Sequence, residues 1–342
     1  MTLRRKMTVL ALIGLLMFSV IVPLVSVASA NEMPKETHPL AETTFPPSSD
    51  TEASPPPETT AGEEKPITEL KVYLSKEDKT VTMPLESYII CVVAAEMPYT
   101  FHTEALKAQA VAARSYCLNK MGSSSHKDGA DVCTDYSHCQ SYVSEEELIS
   151  RYGKTTTERI LTKIKNAVNE TAGQIITWQG EPALAVFHSS SYLKTESSKN
   201  IWGGNVPYLT SVTTPESDKV SVVTLTDEQI ASLFGSNDAI KVDSGGKKGI
   251  YTIKTDSGRA DYICLSGLAV RAKLLRSQFG FKSLSFELEE VEGGWTFTVH
   301  GYGHGVGMSQ YGANEMAKNG STYDKILLHY YTGVTIETVG VE

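Results

Sequence analysis

From residue 67 onward the spacing of apolar and polar positions changes several times, and each change predicts an element. Residues 69–74 alternate like a half-buried strand, and a second short strand is expected around 80–83. Pro84 suits a first helical turn. Leu85, Ile89, Val92 and Val93 then recur at helical spacing until Met97-Pro98 ends the run, which predicts a helix over 85–96 with Glu96 on its last turn. Thr103 is expected to cap an alanine-rich helix running to about Lys120, whose small side chains allow another helix to pack closely. A third helix is predicted over 156–170, ended by Gly173, with strands at 174–178 and 183–188 joined by a Gln179-Gly180 turn. A long loop, 189–215, follows. Further on, the pattern predicts a helix near 226–234, strands near 250–255 and 284–288, a helix near 267–279 and a strand at 295–300. Two helices follow a glycine-rich turn. Neither an internal repeat nor a regular strand–helix alternation is present, so the expected class is α+β, mixed helices and short strands.

The first 66 residues read differently. Residues 1–6 carry Arg4, Arg5 and Lys6, and residues 7–28 are an uncharged run rich in Leu, Val and Ile, long enough to span a bilayer. Basic residues before the run put the N-terminus in the cytoplasm and the body outside, as a single-pass membrane protein. A rival reading is a cleaved signal peptide, because Ala28-Ser29-Ala30 fits a small-residue cleavage site. Residues 29–66, rich in Pro, Thr, Ser and Glu, are expected to be an extended solvated linker, with residues 67–342 as the folded extracytoplasmic domain. The chain has 342 residues, 41% of them hydrophobic, so that domain can bury a substantial core. The formal net charge of the chain is -9, much of it in residues 31–66, and the body beyond carries no basic block, which argues against nucleic acid as a partner.

Several residues can carry chemistry. A carboxylate on the last turn of a helix feels the negative end of the dipole and, with Val93 and Met97 beside it, should hold a proton more readily, as a general acid requires. That makes Glu96 a candidate; the alternative is a surface glutamate that ends a helix. Lys107 and Arg114 share a helix face and could orient sugar hydroxyls or carboxylates, with Gln109 nearby, although Arg114 sits among apolar residues where a buried charge needs a partner. His126, Cys133, His138 and Cys139 suit a closed tetrahedral zinc site, and a Cys133–Cys139 disulfide is the competing reading. No G-x-S-x-G elbow surrounds Ser189, Ser190 or Ser191, so His188 and Ser190 are better placed as a hydrogen-bonding cleft wall than as an acyl-transfer pair. In residues 301–307, Val306 stands where a nucleotide loop needs its third glycine. The run is instead expected to let backbone approach a ligand and to present His304 and Gln310.

Three stretches together carry a resemblance: Ala94-Ala95-Glu96-Met97-Pro98 with Lys107-Ala108-Gln109-Ala110-Val111-Ala112-Ala113-Arg114; Phe187-His188-Ser189-Ser190 with Trp202-Gly203-Gly204; and Gly303-His304-Gly305-Val306-Gly307-Met308-Ser309-Gln310. From about Pro84 to its end the chain resembles the stage II sporulation protein D family, lytic transglycosylases of endospore-forming bacteria. The resemblance implies that Glu96 is the catalytic acid and base, that the fold surrounds a substrate cleft, and that zinc bound by the cysteine–histidine set is structural. It also implies cleavage of peptide-stripped peptidoglycan strands during engulfment, to give 1,6-anhydromuramic ends, in a membrane complex with stage II sporulation proteins M and P. Two other readings stay open: a zinc-dependent cell-wall amidase, and a non-enzymatic wall-binding or scaffolding module.

Overall fold

The computed structural model describes residues 69–122, 126–235, 249–265 and 268–340. A hairpin opens it: β1 (Glu69–Leu74) pairs antiparallel with β2 (Lys79–Pro84), and β3 (Val132–Cys133) joins β1 in parallel. Between hairpin and β3 run α1 (Leu85–Glu96) and α2 (Thr103–Lys120). Met97, in extended conformation and followed by Pro98, stops α1 where the sequence predicts. The cap of α2 differs from expectation. His102 rather than Thr103 precedes the helix, its Nδ1 accepting the Glu104 N–H at 3.3 Å.

Every residue of α2 from Ala105 to Leu118 except Lys107 is buried. A helix apolar on all sides belongs at a core, and its alanines let neighbours approach. Those neighbours are α1, α4 (Lys154–Asn169), β4 (Gln174–Trp178), α8 (Gln310–Lys318) and α9 (Tyr323–Tyr330). β4 lies between β5 (Glu181–Pro182) and β14 (Thr335–Thr338), and β6 (Phe187–His188) pairs in parallel with β13 (Met308–Ser309). A second apolar cluster gathers β7 (Val220–Thr226), β11 (Ser285–Val291) and β12 (Gly294–His300), with β8 (Ile250–Lys254), β9 (Ala260–Leu265) and β10 (Leu268–Arg271) as another antiparallel sheet. Helices α6 (Asp227–Leu233) and α7 (Lys273–Phe279) pack with it. The α+β class is as expected.

Four local expectations need correction. The loop expected at 189–215 contains a short helix, α5 (Ser198–Trp202). α3 (Glu145–Tyr152) was not anticipated, although Ser144 and Glu147 form a full capping box there. The strand expected at 183–188 shrinks to β6. The helix expected at 267–279 is a strand and a helix, β10 then α7, because residues 268–271 pair with β9 and sheet pairing overrides the apolar run.

The expected transmembrane helix is also corrected. Among the described residues no helix is long and apolar enough to cross a membrane. The longest, α2, has 18 residues but carries Glu104, Lys107, Arg114 and Lys120, where a span needs about 20 mostly apolar residues. Residues 7–28 and 29–66 lie outside the described residues, so the single-pass localisation and the membrane as a partner are not supported. The expected membrane complex with stage II sporulation proteins M and P, which only the resemblance implies, likewise finds no membrane-spanning helix among the described residues to support it.

Candidate active site

Glu96, the last residue of α1, is half-buried, and both of its carboxylate oxygens are held. Oε1 accepts the Ser141 backbone N–H at 2.6 Å, and Oε2 accepts from Gln310 Nε2 at 3.1 Å. The same Gln310 nitrogen lies 3.4 Å from Oε1 of Gln109, a fully buried residue on α2. Thus α1, α2, α8 and the loop after β3 meet at one carboxylate. Sequence reasoning found Glu96, Gln109 and Gln310. It missed Ser141, whose contribution is a main-chain N–H that no residue type encodes.

The glycine-rich run puts Gln310 there. Gly307 has φ +72°, and a Cβ on it would lie 2.0 Å from the Val186 carbonyl oxygen; Gly305 has φ +86°, and a Cβ there would meet the Arg259 guanidinium carbon at 2.4 Å. Only glycine lets the chain pass both places and enter α8 through β13. Ser309 caps α8, accepting the Gly312 N–H at 3.2 Å and donating to Glu216 at 2.5 Å. Glu216 also accepts from Ser191 N–H and Thr214, and burial pushes its carboxyl above the ordinary range.

His188 is buried beside this run. Its Nδ1 lies 3.2 Å from the Val306 carbonyl oxygen and must donate, which leaves Nε2 to accept from the Ser191 hydroxyl at 2.6 Å. Arg259 donates to the same hydroxyl oxygen at 3.1 Å. Burial, then the neighbouring His304 and Arg259, hold His188 well below the usual imidazole value. Burial and the positive charges of Arg276 and Arg259 lower His304 to about 4, and its ring stands 5.5 Å from that of Trp202. Ser190 is fully buried, with its hydroxyl unpartnered among the described residues.

Two expected substrate contacts sit elsewhere. Arg114 is fully buried and forms a fork with both Glu86 oxygens at 2.7 Å while donating to the Gln174 carbonyl at 2.8 Å, so it ties α2 to α1 and β4. Lys107 pairs with Glu104 at 2.8 Å and Glu170 at 2.6 Å. Neither is bonded to Glu96. The sequence flagged Arg114 as needing a partner but could not name Glu86.

The cysteine–histidine set does assemble. One ligand atom from each of His126, Cys133, His138 and Cys139 lies within 4.8 Å of the others, and Cys133 and Cys139 are free thiols. His126 Nε2 is 3.1 Å from both His138 Nδ1 and Cys139 Sγ, and Cys133 Sγ is 3.5 Å from His138 Nδ1. Zinc bonds of about 2.0–2.3 Å put tetrahedral ligands roughly 3.3–3.8 Å apart, so the donors fit such an ion with small shifts. The cluster can therefore coordinate a metal, and it belongs to the loop that continues to Ser141.

A cavity of about 880 Å³ is lined by Tyr136, Glu196, Trp202, Arg259, Arg276 and Tyr302 among others. Glu96 does not line it. Yet both segments that donate to Glu96 do, one at Tyr136 on the way to Ser141 and the other at Tyr302–His304 on the way to Gln310.

Against known proteins, the family model SpoIID, Stage II sporulation protein, matches residues 73–178. The chain is 38% identical over 269 residues to Stage II sporulation protein D of Bacillus subtilis, covering 78% of each chain. It is 35% identical over 275 residues to Stage II sporulation protein D of Bacillus amyloliquefaciens, covering 80% of this chain and 79% of that one. A third relative, the Amidase enhancer of Bacillus subtilis, is 27% identical over 299 residues, covering 72% of this chain and 39% of its own.

Proposed function

Since the chain belongs to the stage II sporulation protein D family, we propose that it remodels the cell wall during sporulation as a peptidoglycan lytic transglycosylase, with Glu96 as acid and base. The observation that carries this is the carboxylate of Glu96, half-exposed and oriented by Ser141 N–H and Gln310. Protonated Glu96 gives its proton to the oxygen between N-acetylmuramic acid and N-acetylglucosamine as the bond from muramic C1 breaks. The carboxylate left behind removes the proton of the muramic C6 hydroxyl, whose oxygen closes onto C1. One group thus serves both steps, whereas hydrolysis usually takes two flanking carboxyls. Gln310, braced by Gln109, keeps the group in place between them.

The metal reading is subordinate to this one. His126, Cys133, His138 and Cys139 would hold zinc as a structural ion that fixes the loop bearing Ser141. Four protein ligands leave no open position for water, which speaks against a zinc amidase. A second reading, a non-enzymatic wall-binding module, draws support from the relative named Amidase enhancer.

Mass spectrometry of products from purified glycan strands separates these readings, with anhydromuramic ends expected. Glu96→Gln keeps size and polarity but neither donates an acid proton nor accepts one. Turnover should fall at least about a hundredfold with strand affinity and melting temperature little changed. Parent-like release of anhydro ends by the variant would remove Glu96 from the mechanism. Strand binding without any turnover in the parent protein would favour the binding module.

A further inference from the structure

Two arginines in the large cavity have no ion-pair partner in direct contact among the described residues, Glu196 and Glu216 acting on Arg259 only from a distance. Arg259, immediately before β9, is only 3% exposed. Its guanidinium packs against Gly305, its Nη2 is held by Ser191, and its Nε has no partner among the described residues. Arg276, on α7, is half-buried in the same cavity. Among the described residues neither has a carboxylate within ion-pair distance. Nearby carboxylates are engaged elsewhere. Glu196 accepts from Ser197 N–H, Asn200, Thr255 and Ser257, Asp261 pairs with Arg271, and Glu216 takes the hydroxyls of Ser309 and Thr214.

A buried charge without a contacting partner is costly, so a cavity that holds buried Arg259 and half-buried Arg276 favours an anion between them. Burial first, then repulsion from Arg276, lowers Arg259 to about 10. The rings of Trp202 and Tyr302, 50% and 49% exposed, supply flat apolar surface at the same cavity.

We propose that this cavity is a subsite for a carboxylate-bearing sugar, in which Arg259 and Arg276 hold the free lactyl carboxylate of a muramic acid residue while Trp202 and Tyr302 offer their faces to the pyranose rings. Guanidinium forks match carboxylates, and the bonds they make are among the stronger hydrogen bonds. The lactyl acid is free only where the stem peptide has been removed, because the peptide is joined to it as an amide. The subsite therefore reads peptide-free strands chemically. It rests on the reading that the substrate is peptidoglycan, and it extends from the same two segments that orient Glu96.

Binding, not turnover, tests it. The full chain carrying Glu96→Gln is titrated calorimetrically with peptide-free muramic glycan and with the same glycan after its lactyl acids are converted to primary carboxamides. The acid form should bind at least about tenfold tighter, since bonds between charged groups are lost in the amide. Adding Arg276→Gln should bring the two affinities to within about twofold without lowering the melting temperature, and Arg276→Lys should restore part of the preference. Equal affinity for acid and amide, or a preference that survives Arg276→Gln, overturns the assignment. So does a glycerol phosphate oligomer that binds more tightly than the acid strand, which would make the cavity a phosphate site. The comparison of ligands decides the matter even if an arginine variant fails to fold. Because this protein lacks its acid–base group, the result is independent of the reaction. Absence of anhydro products from the parent protein would sink the transglycosylase reading and leave the carboxylate preference standing.

Discussion

Individual groups around the glycine-rich run are set by burial rather than by residue type. His304 falls to about 4 from an ordinary 6.5, so the unfolded chain binds a proton at this residue between those values and the folded chain does not. Its contribution to stability is present above pH 6.5 and is lost as pH falls toward about 4. Glu216 has the opposite sign: its carboxyl is raised, so its contribution is full at low pH and is lost as pH rises through the raised value. The two are separable by mutation. His304→Gln removes only the first, so the melting-temperature gap between parent and variant should narrow as pH falls from about 6.5 to about 4. A gap that stays constant over that range would show that His304 is not the linked group.

Elements matter here through where they end. The end of α1 holds Glu96, the start of α8 holds Gln310, and the latter is positioned by the passage of Gly307 over Val186. Gly307→Ala should lower stability by about 2 kcal/mol or more, since it combines left-handed strain with a Cβ overlapping a carbonyl oxygen. Gly320→Ala is a matched control, with φ +89° and nothing within 4 Å, and should cost only about 1 kcal/mol. Urea unfolding of the two variants measures the difference. Glycan turnover should fall further for Gly307→Ala than for Gly320→Ala, because Gln310 moves with the strand.

At the scale of the molecule, the loop between β3 and α3 connects the metal cluster to Ser141 and so to Glu96. Purified protein should contain close to one zinc per chain by elemental analysis. A strong chelator should lower its melting temperature, because a metal that binds the folded state and not the unfolded one stabilises the fold, and removing it takes that contribution away. No zinc, together with a mass two hydrogens short, would indicate the Cys133–Cys139 disulfide instead.

Local pattern alone determined much of this protein. The helices at 85–96 and 103–120, the strands β1 and β2, the Gln179-Gly180 turn and the pair of C-terminal helices follow from apolar spacing, proline and glycine, which act over a few residues. Glu96 and the four candidate metal ligands were legible for the same reason, since each stands in a short distinctive stretch. Only the tertiary structure decided that residues 268–271 form a strand, that Arg114 pairs with Glu86, and that Arg259 and Arg276 share a cavity. Each of these depends on partners brought from distant parts of the chain, Glu86 lying 28 residues from Arg114 and Ser191 lying 68 from Arg259. Periodicity records which face of an element is buried; it carries no record of what is packed against that face, and charge pairing and cavity lining are properties of that packing.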